Sequence, residues 1–364
     1  MKLELSFKSY GEAETNEAMD SLVSGELTMG KKVARFERMF AEYIGARHAV
    51  MVNSGSSANL LAVSVLKELG CLRAGMVLTM PALTWSTTLW PVLQNGLRVK
   101  LEDCSRKTLC SSNTGVAAHV MGNAAPGIAL IEDCCEALGA WMDGRHVGTI
   151  GSVGTFSFYF SHHISTIEGG MLVTEDDDLA DVARSMRAHG WSRGTIREGE
   201  MAQGIDPRFL FIHPGYNLRP TELQAAFGIH QLAKADFWKI KRQQVYAEMR
   251  SRLDGCGLFD FIEASKGCDP SWFAFPVLVR HGRRDALIRY LETRGIQTRP
   301  IIAGNLARHP AIVCREDVFY GPLPNADSVM TDGLYWGCHP GVDDAQIEYL
   351  VKTVETFLEQ KEAA

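Results

Sequence analysis

The segment Thr155-Phe156-Ser157-Phe158-Tyr159-Phe160-Ser161-His162-His163-Ile164 carries the densest chemistry in this sequence. An aromatic strand-like run ends in a polar turn with two histidines, and Glu168-Gly169-Gly170 follows. Imidazole titrates near neutrality, so a histidine at a strand end suits a general acid or base. The pair could equally be metal ligands or hydrogen-bonded core histidines. Metal ligation fits worst, because adjacent side chains on extended backbone point apart and no third ligand is evident nearby.

Two other turns carry polar groups where ligands bind. Asn53-Ser54-Gly55-Ser56-Ser57-Ala58 lies between a strand and a helix. Its glycine allows a tight turn, its serines offer hydroxyls, and the helix N-terminus presents free N–H groups to a phosphate. The same pattern also describes an ordinary serine-capped helix. Ile131-Glu132-Asp133-Cys134-Cys135-Glu136 ends a buried strand, and open α/β sheets bind ligands beyond the carboxyl ends of their strands. A carboxylate there can keep a pyridine-type ring nitrogen protonated, which strengthens the ring as an electron sink. A capping aspartate would look the same.

The elements that must position these turns alternate between strand and helix. Strands are expected at Ala49–Asn53, Met76–Met80, Ile128–Glu132, Gly154–Tyr159 and Met171–Thr174, with helices over Ala58–Leu69 and Leu179–Ala188. This alternation implies a largely parallel sheet wrapped by helices. The helix Glu222–Leu232 leads into a long bridging stretch, Lys234–Leu253. Trp272–Val279, Arg283–Arg294 and Asp343–Gln360 then read as strand, helix and helix of a smaller α/β domain. The expected division is residues 1–235 and 236–364.

Composition excludes several function classes. The chain has 364 residues with 46% hydrophobic and 22% charged, a globular balance. Its net charge of −6 argues against a nucleic-acid binder held by phosphate contacts. No apolar run reaches the roughly 18 residues that span a bilayer, and the first residues lack the apolar core of a signal peptide. Nine scattered cysteines form no CxxC pair, which suits buried thiols in a reducing cytoplasm.

In this order and spacing the motifs resemble the DegT/StrS-like sugar aminotransferase family. The likeness covers almost the whole chain and includes Gly30–Phe40, Val52–Leu61, Pro81–Thr88, Ile131–Ala140, Phe156–Gly170, Gly215–Ala226 and Thr298–Pro310. It implies the fold-type-I aminotransferase architecture: a large domain with a mostly parallel seven-stranded sheet between helices, plus a smaller C-terminal α/β domain. It also implies pyridoxal or pyridoxamine phosphate (PLP/PMP) as cofactor. Carried over position by position, Ser56, Ser57 and Ser157 match phosphate-binding hydroxyls. Trp85 matches the aromatic residue that stacks on the ring, Asp133 the partner of the ring nitrogen, and Glu136 the polar residue beside the ring hydroxyl. Asn217 matches an asparagine that reaches the neighbouring subunit's cofactor phosphate, so the family pattern implies a homodimer with shared sites.

One departure changes the expected chemistry. The family's aminotransferases carry a lysine five positions after the serine that matches Ser157; here that position is His162. No lysine occurs between Lys107 and Lys234. The pattern is similar to the branch of 3-dehydratases that act on nucleotide-linked 4-keto-6-deoxy sugars in deoxysugar biosynthesis. Imidazole cannot anchor PLP through a Schiff base, so the cofactor would be held non-covalently. The resemblance implies that His162 removes the proton from the cofactor carbon and that the C3 hydroxyl is expelled, with the same histidine available to protonate it as it leaves. Some members of that branch use an iron–sulfur cluster held partly by cysteines after the histidine segment. The stretch from Gly190 to His213 contains none, so no cluster is expected, and an amino donor such as glutamate would regenerate PMP. His189 reads either as a second acid/base group or as a loop histidine. The other readings are an aminotransferase without the anchoring lysine and a non-catalytic cofactor-binding protein.

Overall fold

A computed structural model describes residues 1–112, 114–196, 198 and 204–362. Five strands lie side by side in the order His48–Val52, Gly170–Thr174, Val153–Ser157, Ile131–Asp133 and Val116–Ala118. Val77–Pro81 and Arg98–Glu102 form a second group, joined at its edge by Val318–Tyr320 from the C-terminal part. The two groups meet where the Gly115 amide donates to Thr79 Oγ1 at 2.8 Å. The expected seven strands are thus arranged as five and two, with an eighth added from late in the chain. Four of these six strand pairings are parallel.

Several boundaries move. The expected strand Ile128–Glu132 begins only at Ile131, and the expected strand Gly154–Tyr159 stops at Ser157. In both cases apolar residues continue past the last ladder bond: Ile128 is exposed, while Tyr159 and Phe160 belong to the following turn. Arg98–Glu102 and Val116–Ala118 were not expected as strands. The first alternates charged with apolar residues, and the second has only three residues, so neither stands out as a buried apolar run.

Alternation along Val153–Ser157 separates core from site. Phe156 and Phe158 point into an aromatic cluster with Phe36 and Phe40, whose ring centroids lie 5.2–5.4 Å apart across the strand. Thr155 and Ser157 point the other way, toward the helix Gly55–Glu68. Burying four phenylalanines fixes which face the hydroxyls take.

After the helix Ala235–Leu253, the strands Phe259–Phe261, Phe275–Val279, Gly333–Trp336 and Thr298–Arg299 form an antiparallel sheet in that order. Leu3 bridges Ile296, so the N-terminal segment runs beside this second sheet. One continuous apolar core joins the two sheets. Among the described residues no helix is long and apolar enough to cross a membrane.

Candidate active site

The helix Gly55–Glu68 starts the site. Ser54 caps it, accepting from the Ser57 amide at 3.1 Å. A Cβ added at Gly55 would lie 2.5 Å from Ser157 Cβ and 2.9 Å from Cys135 Sγ. One added at Gly170 would lie 2.3 Å from the Ser54 carbonyl. Both positions therefore require bare backbone, and the helix N-terminus is held tightly against Ser157. The Ser56 hydroxyl is exposed and donates to Thr87 Oγ1 at 3.0 Å.

Asp133 ends its strand with its carboxylate fixed from three sides. Oδ2 accepts from Asn59 Nδ2 at 2.8 Å and from Thr88 Oγ1 at 2.6 Å, and Oδ1 accepts from the Cys135 amide at 3.1 Å. Asn59 is itself oriented, because its carbonyl oxygen accepts from Thr155 Oγ1 at 2.5 Å. The neighbouring Glu132 points to the other face of the strand. There it accepts from His119 Nε2 and from the Gly148, Ile150 and Gly151 amides at 2.6–3.0 Å. Burial alone would raise its pKa, but these donors together hold it below the usual carboxylate value.

Glu136 has a poorer environment. One oxygen accepts from the Met121 amide at 3.0 Å. Burial pushes its carboxyl up to about 7; the Met121 bond opposes this and the Asp133 charge adds to it.

The turn after Ser157 closes when the His162 amide donates to the Tyr159 carbonyl at 2.9 Å. His162 packs edge-on to Phe273, with ring centroids 5.2 Å apart at 80°. Its Nδ1 is buried without a hydrogen-bond partner. Burial, reinforced by the Arg242 charge, pushes its pKa down to about 4. The adjacent His163 faces the core, where Nε2 donates to the Ser271 carbonyl at 2.8 Å. The two histidines therefore divide between cavity and core.

Ser56, Trp85, Asp133, Glu136, Ser157 and His162 all line one cavity of about 720 Å³. Trp85 stands at its rim, 57% exposed, just before the helix Ser86–Gln94. No lysine lines this cavity among the described residues; its one cationic side chain is Arg299, from the second sheet. Two expected residues lie elsewhere. The Ser57 hydroxyl is paired with Ser54 at 3.0 Å and does not line the cavity. Asn217 is exposed outside it, with Oδ1 accepting from Arg219 Nε at 3.1 Å. Nearby, Arg193 and Arg219 lie over the Trp191 ring at 4.9 and 5.5 Å. His189 packs against Trp191 rather than lining the cavity, and has a left-handed backbone with φ of 65°. Part of the Gly190–His213 stretch lies outside the described residues.

Sequence reasoning missed Asn59, Thr88, Phe273, Arg299 and Tyr335. Asn59 carried a usable signal, as a buried amide in the apolar run Ala58–Leu66 must find a partner. Thr88 and Arg299 lie within the segments that carry the family likeness but were given no role, and Phe273 and Tyr335 reach the cavity from the C-terminal part of the chain.

The GDP-4-keto-6-deoxy-D-mannose 3-dehydratase of Yersinia pseudotuberculosis is 33% identical over 370 residues, covering 92% of this chain and 93% of its own. The dTDP-4-dehydro-2,6-dideoxy-D-glucose 3-dehydratase of Saccharopolyspora spinosa is 36% identical over 379 residues, covering 91% and 81%. A crystal structure of GDP-4-keto-6-deoxymannose-3-dehydratase with a trapped PLP-glutamate geminal diamine matches with a TM-score of 0.90 at 30% identity. That match covers 97% of this chain and 100% of the other. A family model matches residues 8–125 and 123–355, so the chain belongs to the DegT/DnrJ/EryC1/StrS aminotransferase family.

Proposed function

We propose that the protein is a PLP/PMP-dependent dehydratase that removes the C3 hydroxyl of a nucleotide-linked 4-keto-6-deoxy sugar, with His162 as acid/base in place of a lysine. The observation that carries this reading is a histidine with an unpartnered Nδ1, in a cavity that it shares with Asp133 and Ser157 and that no lysine lines among the described residues.

The residues present fit the cofactor. Bare backbone at Gly55 lets the helix N-terminus pack against Ser157, and Ser56 and Ser157 line the cavity beside it, which suits a phosphate. Asp133, fixed by three donors, faces the cavity as a partner for a ring nitrogen, and Trp85 offers a ring for stacking. When bound, the pyridine ring supplies the electron sink for C–H cleavage and C–O expulsion. Asp133 keeps that sink charged. His162 is uncharged at neutral pH, so its imidazole takes up a proton from carbon. Phe273 and Tyr159 pack around the imidazole and fix its orientation. An amino donor such as glutamate restores PMP.

The further assignments are a large cofactor-binding domain over residues 1–235, a small domain over 236–364, and a cytoplasmic homodimer in which Asn217 serves the partner's site. Support for the last is that Asn217 is exposed and accepts from Arg219, which lies over the Trp191 ring, and that Phe209 and Phe211 are exposed, apolar surface that a second subunit would cover.

The test is incubation with PLP, glutamate and either GDP- or dTDP-linked 4-keto-6-deoxyhexose, followed by mass spectrometry. Loss of the C3 oxygen without retained nitrogen is expected. A product that keeps the donor's nitrogen and the C3 oxygen would instead establish an aminotransferase, and turnover of neither sugar would reject both readings.

A further inference from the structure

We propose that Arg242 is a positioning residue for His162: it pins the backbone of Phe273, on which the imidazole packs, and its unpaired charge makes the protonated imidazole release its proton. The inference rests on the dehydratase reading above. In that reaction His162 takes a proton from carbon, and the C3–O bond breaks with its electron pair on oxygen. The same proton passes to the departing oxygen, which leaves as water. The imidazole ends neutral, as it began, and no oxidant or reductant is needed.

The first ground is the grip on Phe273. Arg242 and Tyr246 stand one turn apart on the helix Ala235–Leu253 and share a face. Arg242 Nη1 donates to the Phe273 carbonyl at 2.7 Å and to the Trp272 carbonyl at 3.3 Å. Tyr246 stacks on the Trp272 ring, with centroids 4.0 Å apart at 6°. The Ser271 and Phe273 amides donate to the Gly122 and Met121 carbonyls at 2.9 and 3.1 Å, and His163 donates to the Ser271 carbonyl. Every backbone donor and acceptor of Ser271 and Phe273 is thus used. The Phe273 ring meets His162 from a fixed point.

The second ground is the charge. Arg242 is 3% exposed, and its Nε is buried without a hydrogen-bond partner. Among the described residues no carboxylate pairs with it. The ionisable group that bears on it is the Cys338 thiol, which burial pushes up to about 12 and so keeps neutral. Burial lowers the guanidinium only to about 10, so it is a cation at neutral pH. A buried charge without a counter-charge is destabilising. Two carbonyls need no more than a neutral amide donor, so they do not account for it.

The third ground is what the charge faces. It opposes protonation of His162, His163 and His339. His163 and His339 are committed through Nε2 to the Ser271 and Glu4 carbonyls. His162 has an unpartnered Nδ1 and lines the cavity, so of the three it is the one that can exchange a proton with a substrate. Tyr159 and Phe273 pack on its ring, and neutral His163 follows it in the turn. The carboxyls lining the cavity are Asp133, Glu136 and Glu168, and its cation is Arg299. Arg242 is the charge that bears on the imidazole from the helix. A like charge nearby disfavours the imidazolium, and a disfavoured imidazolium is a stronger acid toward the departing oxygen.

The test compares wild type, Arg242→Gln and Arg242→Lys, each as the full chain with bound cofactor, on whichever GDP- or dTDP-linked 4-keto-6-deoxyhexose the wild type dehydrates. Glutamine offers an N–H to the Phe273 carbonyl without the charge, and lysine keeps the charge. Arg242→Gln should lower kcat by about 10- to 100-fold with KM within about threefold, and Arg242→Lys should stay within about fivefold of wild type. In parallel, the His162 ring is followed by NMR in 15N-histidine-labelled chains and assigned by its loss in His162→Asn. Its midpoint should lie near 4 in wild type, rise toward 6.5 in Arg242→Gln and stay low in Arg242→Lys. A merely structural Arg242 would leave the midpoint unmoved in Arg242→Gln. That result, or equal loss of kcat in both variants, would overturn the proposal. If Arg242→Gln does not fold, Arg242→Lys decides: a loss of about tenfold or more in kcat with the charge retained would overturn it. If wild type dehydrates neither sugar, the dehydratase reading fails, while the NMR comparison still decides whether the Arg242 charge acts on His162.

Discussion

The amide of Asn59 holds Asp133: Nδ2 donates to Oδ2 at 2.8 Å, and the carbonyl end is locked by Thr155 Oγ1 at 2.5 Å. A hydrogen bond to a charged group contributes ~1.5–3 kcal/mol. Asn59→Ala is therefore expected to lower turnover by about 10- to 100-fold by freeing the carboxylate. Asp133→Asn should lower it further, because an amide carries no charge to hold a ring nitrogen protonated. Cofactor content, read by absorbance after gel filtration, should stay close to wild type in both, since Ser56 and Ser157 are untouched. Unchanged kcat in Asp133→Asn would remove the assigned role.

His162→Lys should change how the cofactor is held. Wild type treated with PLP and borohydride should yield no pyridoxyl group on any lysine by peptide mass spectrometry, because no lysine lines the cavity among the described residues. The variant should acquire one stoichiometric pyridoxyl group at position 162 and lose dehydration. A wild-type adduct of equal stoichiometry would contradict the non-covalent site.

Asn217 is tested by complementation. His162→Ala and Asn217→Ala chains should each be inactive alone and fold normally. When subunits exchange, a shared site puts both lesions in one site of the mixed dimer and none in the other, so activity should return toward one intact site per dimer. If exchange is demonstrated and no activity returns, Asn217 does not serve the partner's cofactor.

Stability should depend on pH through buried histidines. Burial holds His146, His162 and His339 down to about 4, from 6.5, and His163 well below 6.5. In that window the unfolded chain binds more protons than the folded one. The histidine contribution is thus complete above pH 6.5 and is lost as pH falls toward 4. Glu136 has the opposite sign: raised to about 7, its contribution is complete below 4.5 and is lost as pH rises through 7. Four histidines outweigh one carboxyl, so Tm should fall as pH is lowered from 6.5 to 4.5. Glu136→Gln should steepen that fall. A flat Tm across the window would contradict the buried, uncharged histidines.

Local chemistry was legible in the sequence. The Ser54 cap, the glycine turn after it and Asp133 at a strand end depend on neighbours a few residues away, and such features leave short-range patterns, whereas histidine in place of lysine was read from the family resemblance. The helix Glu222–Leu232 carries its own signal too, with Thr221 and Gln224 forming a reciprocal cap. Tertiary structure alone decided what these groups meet. The side-chain donors to Asp133 come from Asn59 and Thr88, 74 and 45 residues away, and the amide on Glu136 comes from Met121, 15 residues back. Which of two adjacent histidines faces the cavity was settled by Phe273 and by the Ser271 carbonyl, both more than 100 residues later. A hydrogen bond or a buried ring acts over a few ångströms of space whatever the chain separation. The sequence could therefore mark candidate groups, while what surrounds each of them waited on the fold.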